Sequence, residues 1–209
     1  DQEVLHLFPH LFSAIPPKYL YVIKAGETCK TLENTAKILD HWRSIACPND
    51  WQILGGGSLS DLCGFAAYLA KVRFTVYPTT LLAMVDAGLG GKNGVNIPQH
   101  GKNMIGSIYF PQKTYLWAGW LRSLSRIEFL SGAAEGLKHI LLAGTKKEFS
   151  AFIKLLREER FQEIHIWLTR LARIKLDIVQ QDPFEKNLRH TLNLGHTLGH
   201  ALEAKSLEI

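Results

Sequence analysis

The sequence predicts an α/β domain with a largely parallel sheet, followed by an all-helical domain, and three observations support this. Most of the glycines and seven of the eight prolines lie within the first 120 residues. Short apolar runs in that part alternate with segments of helical periodicity, which is typical of a parallel sheet covered by helices. The remaining residues carry almost continuous helical periodicity. We therefore divide the chain into residues 1–120 and 121–209, with the boundary near Trp117–Leu124.

The first part contains short strand candidates separated by helix candidates. Strands are predicted where runs of apolar and β-branched residues occur, at Tyr19–Ile23, Trp51–Leu54, Val72–Tyr77 and Thr114–Trp117. Helices are predicted at Thr31–Trp42 and Leu59–Ala70. In the second part, helical spacing predicts Ser125–Leu142, Lys147–Glu159, Ile164–Gln181 and Asn187–Ala204, with Pro183 breaking the chain between the last two. A cleft between the two layers would be a common place for a ligand.

The composition, 46% hydrophobic and 21% charged, is that of a globular chain. No apolar run approaches the roughly 18 residues that a membrane helix requires, so we expect no membrane span, and we expect no secretory leader. Three cysteines without a metal-binding spacing favour reduced thiols in a cytoplasm. The net charge of +5 comes from scattered basic residues, which disfavours nucleic acid. An anionic substrate and a mildly basic surface stay as alternatives.

Two predicted strands end in residues that suit phosphate or ribose oxygens. Gly55, Gly56 and Gly57 follow one strand and lead into a helix, whose N-terminus offers free N–H groups and a positive dipole. Thr79 and Thr80 follow the next strand and offer two adjacent hydroxyls. The alternative for both is structural, because a tight turn and a capped helix need the same residue types.

A stretch rich in glycine, lysine and asparagine follows. It runs from Gly90 to Asn96 and from Gly101 to Asn103, and we expect a loop there. Two lysines and several amides suit a polyhydroxylated, anionic ligand. The alternative is a solvated surface loop, although Val95 and Ile97 favour one that packs onto the protein.

The last predicted helix carries a row of polar side chains. Arg189, Asn193, His196 and His200 are spaced to share one helix face. Either histidine is a candidate metal ligand, and the other is a candidate proton carrier. Glu135 lies among small residues on another helix, where close approach would bring it to the histidines. The alternative is an exposed polar face.

Taken together, these motifs resemble the 3-dehydroquinate synthase family. The resemblance rests on Gly55-Gly56-Gly57-x-x-x-Asp61, Pro78-Thr79-Thr80-Leu81-Leu82-Ala83, Gly90-Gly91-Lys92-x-Gly94-Val95-Asn96, Gly101-Lys102-Asn103-Met104-Ile105-Gly106, Ala134-Glu135-x-x-Lys138 and Asn193-x-Gly195-His196-Thr197-x-Gly199-His200. It implies a Rossmann-like domain that binds NAD and a helical domain that binds a divalent metal, usually zinc, with cobalt as the alternative.

The resemblance also implies the activity. A phosphorylated sugar acid, 3-deoxy-D-arabino-heptulosonate 7-phosphate, would be converted to 3-dehydroquinate and phosphate in the shikimate pathway. The steps are transient oxidation with NAD, phosphate elimination, re-reduction and an internal aldol closure. A cytoplasmic homodimer without a nucleic-acid or membrane partner is implied. The competing hypotheses are a related sugar-phosphate cyclase and a non-catalytic NAD-binding fragment.

Residue roles follow from the same resemblance. The NAD contacts would be Glu27, Lys30, Gly56, Gly57, Ser58, Asp61, Thr79, Thr80 and Lys102. The substrate contacts would be Asp86, Lys92, Asn103, Glu135, Lys138, Lys175, Arg189, Asn193 and His196. The metal ligands would be Glu135 and His196, and the residues that take part in catalysis would be Glu185, His200, Lys138 and Lys92, with Glu185 and His200 as proton acceptors.

The sequence departs from the family pattern in three places. Ala70 stands where an arginine usually reaches the neighbouring subunit's phosphate site, and the adjacent Lys71 is a cation without the guanidinium fork. We also expect the chain to be incomplete at both ends. The family's opening Rossmann strand and its second histidine ligand would lie outside it, which leaves two protein ligands where catalytic zinc usually has three.

Overall fold

A three-stranded parallel sheet forms the centre of the first part of the chain. The structure, a computed structural model, describes residues 1–45 and 49–199. The strands of the sheet, in spatial order, are β1 (Asp50–Gly55), β2 (Arg73–Pro78) and the short β5 (Lys113–Thr114). Both pairings are parallel, with Trp51 opposite Phe74 in the first. The predicted parallel sheet is therefore confirmed, although its last strand is shorter than expected.

Helices join and cover these strands. The chain begins with α1 (Gln2–Leu7), and α2 (Leu32–Ser44) and α3 (Gly57–Ala70) follow. The side chain of Thr31 caps α2 by accepting the N–H of Asn34 at 3.1 Å. Helix α3 starts directly after β1, so its unpaired first-turn N–H groups lie at the carboxyl edge of the sheet. This is the position where open α/β sheets bind ligands.

Residues 90–103, expected to be a loop, instead contribute to an antiparallel hairpin. Its strands are β3 (Lys92–Ile97) and β4 (Gly101–Ile108). Val95 is fully buried in one cluster with Leu62 and Phe65 of α3, which holds the hairpin against that helix. The expectation of a loop was wrong because glycine and asparagine, which are abundant here, are depleted in strands, whereas the expected packing of Val95 onto the protein is confirmed.

In the described residues of the second part, three of the four predicted helices are confirmed. They are α4 (Arg126–Ala143), α5 (Lys146–Arg157) and α6 (His165–Gln181). Capping boxes start the first two, with Ser125 paired to Glu128 and Thr145 paired to Glu148. Within the described residues, no helix is long and apolar enough to cross a membrane.

The expected helix at Asn187–Ala204 was wrong over residues 187–195, whereas residues 196–199 are helical. Leu188–Asn193 forms a 3-10 helix, and Gly195 then adopts a φ of +83°, which interrupts a regular helix. Upstream, the carboxylate of Asp182 accepts the backbone N–H groups of Lys186, Asn187 and Arg189 at 2.8, 2.7 and 3.0 Å. These bonds fix a turn that an α-helix could not contain. Residues 200–209, with His200, lie outside the described residues.

The strand expected at Tyr19–Ile23 was also wrong. Pro17–Tyr19 is a 3-10 turn, and the residues after it belong to neither described sheet. The carbonyl of Ile23 accepts the N–H of Gln2 at 2.9 Å, so this backbone bonds to the first helix.

One apolar cluster joins the two parts of the chain. Leu81, Met84 and Val85, which follow β2, pack in the same buried cluster as Phe129 of α4 and Leu171 of α6. The π-helical turn Ala83–Ala87 is part of this contact. It fixes Asp86 beside the helices that carry the remaining polar side chains.

Candidate functional site

A polar cavity of about 720 Å³ lies between the hairpin, α3, α4, α6 and the segment after α6. Its volume is within the range of small-molecule sites. Ten of the residues predicted from the sequence line it: Asp61, Asp86, Lys92, Asn103, Lys138, Lys175, Glu185, Arg189, Asn193 and His196. The fold therefore brings together side chains that are up to 135 positions apart in the sequence.

The other predicted residues lie around this cavity. Gly56, Gly57 and Ser58 are at the start of α3, and Thr79 and Thr80 follow β2 at the same sheet edge. Glu135 does not line the cavity itself but pairs with the lining residue Lys138. Lys102 is on the exposed face of β4, and Lys71 is exposed at the end of α3 without lining the cavity.

The sheet edge is closely packed at its glycines. A Cβ atom at Gly56 would lie 3.1 Å from the Thr80 methyl group, and one at Gly57 would lie 3.2 Å from Ala87. The hydroxyl of Thr80 accepts the N–H of Ala83 at 3.1 Å, so it also caps the next turn. The capping alternative for this threonine is therefore realised, while the N–H groups that begin α3 stay available at the edge.

A buried lysine connects the sheet edge to the hairpin. Lys30 is 3% exposed, and its Nζ donates to Asp61 Oδ2 at 2.8 Å and to Asn103 Oδ1 at 2.5 Å. Glu27 lies 3.6 Å from the same ammonium and accepts a hydrogen bond from Ser58. Burial raises the pKa of Asp61 to about 6, although the Lys30 ammonium opposes that shift.

Lysine and carboxylate side chains form close ion pairs at the cavity. Lys175 pairs with Asp86, Lys92 pairs with Glu185, and the Nζ of Lys138 lies 2.7 Å from Glu135 Oε1. Burial alone would raise the pKa of Asp86, yet the Lys175 ammonium outweighs burial and holds that pKa below its ordinary value. The pocket thus keeps ionised carboxylates next to ammonium groups, which are cations that an anionic ligand could also contact.

Arg189 is held differently from the lysines. It is 1% exposed, and its guanidinium donates to the carbonyl of Pro183 at 2.8 Å and to that of Gly90 at 2.5 Å. Burial lowers the pKa of this guanidinium. The bond to Gly90 ties the segment after α6 to the residues just before the hairpin, so Arg189 shapes the cavity as well as lining it.

A group of potential metal ligands lies at the base of the cavity. Asp86, Glu135 and His139 each offer a ligand atom, and these atoms lie within 4.8 Å of one another. Both ring nitrogens of His139 are buried without a hydrogen-bond partner in the described part of the chain, and Oε1 of Glu135 pairs with the ammonium of Lys138. A carboxylate beside imidazole nitrogens is a donor set that fits a divalent cation such as zinc. His196 lines the cavity but is not a member of this three-residue group.

The sequence interpretation missed His139. It follows Lys138 in an apolar stretch and carries no motif of its own. The available signal was its spacing, since it is four positions after Glu135 and so shares a helix face with it.

The fold and the cavity together define a class of protein: an α/β part joined to a helical part, with a polar cavity lined by charged side chains between them. Comparisons with known proteins agree. The 3-dehydroquinate synthase N-terminal model matches residues 20–131, and the corresponding C-terminal model matches residues 132–208. The chain therefore belongs to the 3-dehydroquinate synthase family.

Individual relatives support this membership. A 3-dehydroquinate synthase of Crocosphaera subtropica is 40% identical over 198 residues, which cover 89% of this chain and 53% of the relative. A 2-epi-5-epi-valiolone synthase of Streptomyces hygroscopicus, solved with NAD⁺ and Zn²⁺ bound, is 29% identical, and the match covers 93% of this chain and 57% of that one at a TM-score of 0.79. A 2-deoxy-scyllo-inosose synthase shares the fold at a TM-score of 0.81 and 23% identity, covering 98% of this chain and 58% of that one. The chain spans about half the length of the curated relatives it matches.

Proposed function

We propose that the protein is a 3-dehydroquinate synthase, a carbon–oxygen lyase. It converts 3-deoxy-D-arabino-heptulosonate 7-phosphate to 3-dehydroquinate and phosphate, as a step of the shikimate pathway toward chorismate and the aromatic amino acids. The observation that carries the proposal is the convergence of Lys92, Lys138, Lys175 and Arg189 on one cavity. Several cations together offset the desolvation of a phosphate and a carboxylate better than any one of them.

The cofactor in this proposal is NAD, at the sheet edge beside the cavity. The N–H groups that begin α3, at Gly57 and Ser58, would hold its pyrophosphate. Glu27 and Lys30 would contact the adenosine ribose, with Asp61 on the nicotinamide side. Gly56, Thr79, Thr80 and Lys102 complete the proposed contacts. When bound, NAD would accept a hydride from the substrate and later return it, and the valiolone synthase solved with NAD⁺ supports this assignment.

The metal in this proposal is a divalent cation, zinc or cobalt, held by Glu135 and His196. When bound, it would polarise the substrate's carbon–oxygen groups. The protein's side chains would orient the substrate and accept protons. Asp86, Asn103 and Asn193 would orient the hydroxyl groups, while Glu185 and His200 would accept protons. Burial alone would raise the pKa of Glu185, but Lys92 and Asn193 outweigh burial and keep it low, so the carboxylate is ionised and able to take a proton.

The assembly and location are part of the same proposal. We propose a cytoplasmic homodimer that binds neither nucleic acid nor membrane, and we keep the division into domains at residues 1–120 and 121–209. A related sugar-phosphate cyclase is the alternative activity, supported by the likeness to the valiolone synthase.

An assay on two substrates distinguishes these activities. The full-length protein, supplied with NAD and Zn²⁺, is incubated with the heptulosonate phosphate or with sedoheptulose 7-phosphate, and phosphate release is measured. We expect turnover of the first sugar and a kcat/KM at least about 100-fold lower for the second. Preference for sedoheptulose 7-phosphate would assign the protein to the alternative.

The cavity lysines supply a second arm of the assay. Lys138→Met removes a buried cation and should lower kcat/KM by about 100-fold or more, on the scale of losing one electrostatic contact to the reacting group. The matched control is Lys154→Met, because Lys154 is exposed on α5. Equal activities of the two variants would contradict the assignment of the cavity.

A further inference from the structure

Asn96 lies at an irregularity of the hairpin, where the register between β3 and β4 shifts between Val95 and Ile97. A bulge of this kind frees one residue from the ladder and re-aims its side chain. The backbone N–H of Asn96 donates to the carbonyl of Lys30 at 2.8 Å. The residue is therefore joined to the segment before α2.

The side-chain amide of Asn96 connects two residues that we place in the site. Its Nδ2 donates to Oε1 of Glu27 at 2.8 Å, and its Oδ1 accepts the backbone N–H of Asn103, also at 2.8 Å. An ionised carboxylate only accepts and an N–H only donates, so these partners fix which end of the amide faces which residue. One amide thus links the 3-10 helix Glu27–Cys29 to the edge of the cavity.

Glu27 depends on such bonds for its orientation. Its side chain is 43% exposed, and an exposed carboxylate without fixed partners samples several rotamers. Oε2 accepts the hydroxyl of Ser58 at 3.2 Å, while Oε1 accepts Asn96 and lies 3.6 Å from the Lys30 ammonium. Donors therefore hold both oxygens and keep the carboxylate beside the start of α3, where we place the cofactor.

The backbone of Asn103 also needs support. Its φ is +55°, a left-handed conformation that is uncommon for residues other than glycine. Its N–H is bonded to Asn96, and its Oδ1 accepts the Lys30 ammonium at 2.5 Å. Asn96 thus fixes the backbone of a residue that lines the cavity.

We propose that Asn96 is a positioning residue for both ligands. It fixes the carboxylate of Glu27 for the ribose of NAD, and through the same amide it fixes Asn103 for the phosphorylated substrate. This inference rests on the proposed function, which places NAD at Glu27 and the substrate at Asn103.

Two substitutions separate this role from a merely structural one. NAD affinity is measured by calorimetry on the full-length protein without substrate. Asn96→Asp keeps the size of the side chain but sets a second carboxylate against Glu27, so we expect NAD binding at least about tenfold weaker at pH 8. Asn96→Ala only removes the donor, so we expect a smaller loss of about threefold. Asn49→Asp, at an exposed position that does not line the cavity, is the matched control for the added charge.

The pH dependence of the same affinity is a further readout. At lower pH the two adjacent carboxyls of Asn96→Asp share a proton and bond again, so its defect relative to wild type should shrink between pH 8 and pH 5.5. The other titratable groups around Glu27 are the same in both proteins: the Lys30 ammonium, its partner Asp61 and the Cys29 thiol.

Hydrogen exchange of the Asn103 amide tests the second bond. Asn96→Ala should speed this exchange, whereas Asn96→Asp keeps an acceptor and should stay close to wild type. Unchanged exchange in Asn96→Ala would overturn the link to Asn103.

The order of the NAD affinities decides the link to Glu27. A greater loss in Asn96→Ala than in Asn96→Asp, or no loss in either, would overturn it. Wild-type protein that binds no NAD would overturn this proposal together with the cofactor assignment. Wild-type protein that binds NAD without forming 3-dehydroquinate would count against the proposed function alone, and the affinities would still decide the role of Asn96.

Discussion

At the scale of single residues, the ion pair between Lys30 and Asp61 connects two regions of the site that neither residue would connect alone. The sequence interpretation named both as separate cofactor contacts. In the structure their charged atoms are 2.8 Å apart, and Asn103 shares the ammonium. The pair thus links the sheet edge, where we propose the cofactor, to the hairpin that lines the substrate cavity.

Asp61 makes the stability of the protein depend on pH. Its pKa is about 6 in the native state, raised by burial from an ordinary value of 3.8. Between these values the native state holds a proton that the unfolded chain has released, so the free energy of unfolding falls as the pH rises through this window. Asp61→Asn has no such proton. As the pH rises from 3.5 to about 7.5, the free energy of unfolding of the variant should increase by about 3 kcal/mol relative to that of wild type.

Urea unfolding at several pH values checks this prediction. Asp177→Asn, which removes an exposed carboxylate of α6, shows what the loss of any one negative charge does. A difference between Asp61→Asn and wild type that stays constant with pH, or that moves in the opposite direction, would contradict the prediction.

Sequence reasoning at this scale identified residue types better than partners. The cations of the cavity stood out because lysine and arginine occur at motif positions. His139 did not stand out, because only the fold shows that its ring is buried beside the carboxylate of Glu135. No sequence pattern records that both nitrogens of this ring are buried without a hydrogen-bond partner in the described residues.

At the scale of elements, the small residues of α4 decide how closely that helix approaches the turn after β2. A Cβ atom at Gly132 would lie 2.4 Å from the backbone nitrogen of Leu82. At Gly136 the nearest atom would be a Leu171 methyl group at 2.8 Å, which a side-chain rotation can move. The two glycines therefore differ in whether the contact can relax.

This difference predicts the effects of two alanine substitutions. Both gain about 1 kcal/mol of helix propensity. Gly132→Ala should nevertheless lose about 1–3 kcal/mol of stability, because the backbone cannot yield, whereas Gly136→Ala should stay within about 1 kcal/mol of wild type. Denaturant unfolding of the pair measures this, and equal stabilities would show that the approach of α4 to Leu82 is not tight.

Elements with strong local signals were predicted well, and those defined by distant contacts were not. The capping residues Ser125 and Thr145 mark helix starts in the sequence itself. By contrast, the 3-10 helix at Leu188–Asn193 depends on the carboxylate of Asp182 and on the positive φ of Gly195. The polar row expected on one helix face is therefore split, yet Arg189, Asn193 and His196 still reach the same cavity.

At the scale of the whole molecule, the order of an α/β part before a helical part followed from the sequence, but the cavity between them did not. Asp61, Lys92, Lys138 and Arg189 come from four separate elements. Spacing along the chain cannot show that they meet. The contact depends on the apolar cluster that joins Leu81 to Phe129 and Leu171.

We propose that the cavity performs an elimination in which NAD is used and regenerated, and the stoichiometry of the reaction tests this proposal. The full-length protein with NAD and Zn²⁺ is mixed with the heptulosonate phosphate, and phosphate release and NADH absorbance are followed together to completion. We expect one phosphate released per substrate consumed, with NADH back at its starting level. Accumulation of one NADH per substrate without phosphate release would contradict it, because the protein would then be a dehydrogenase.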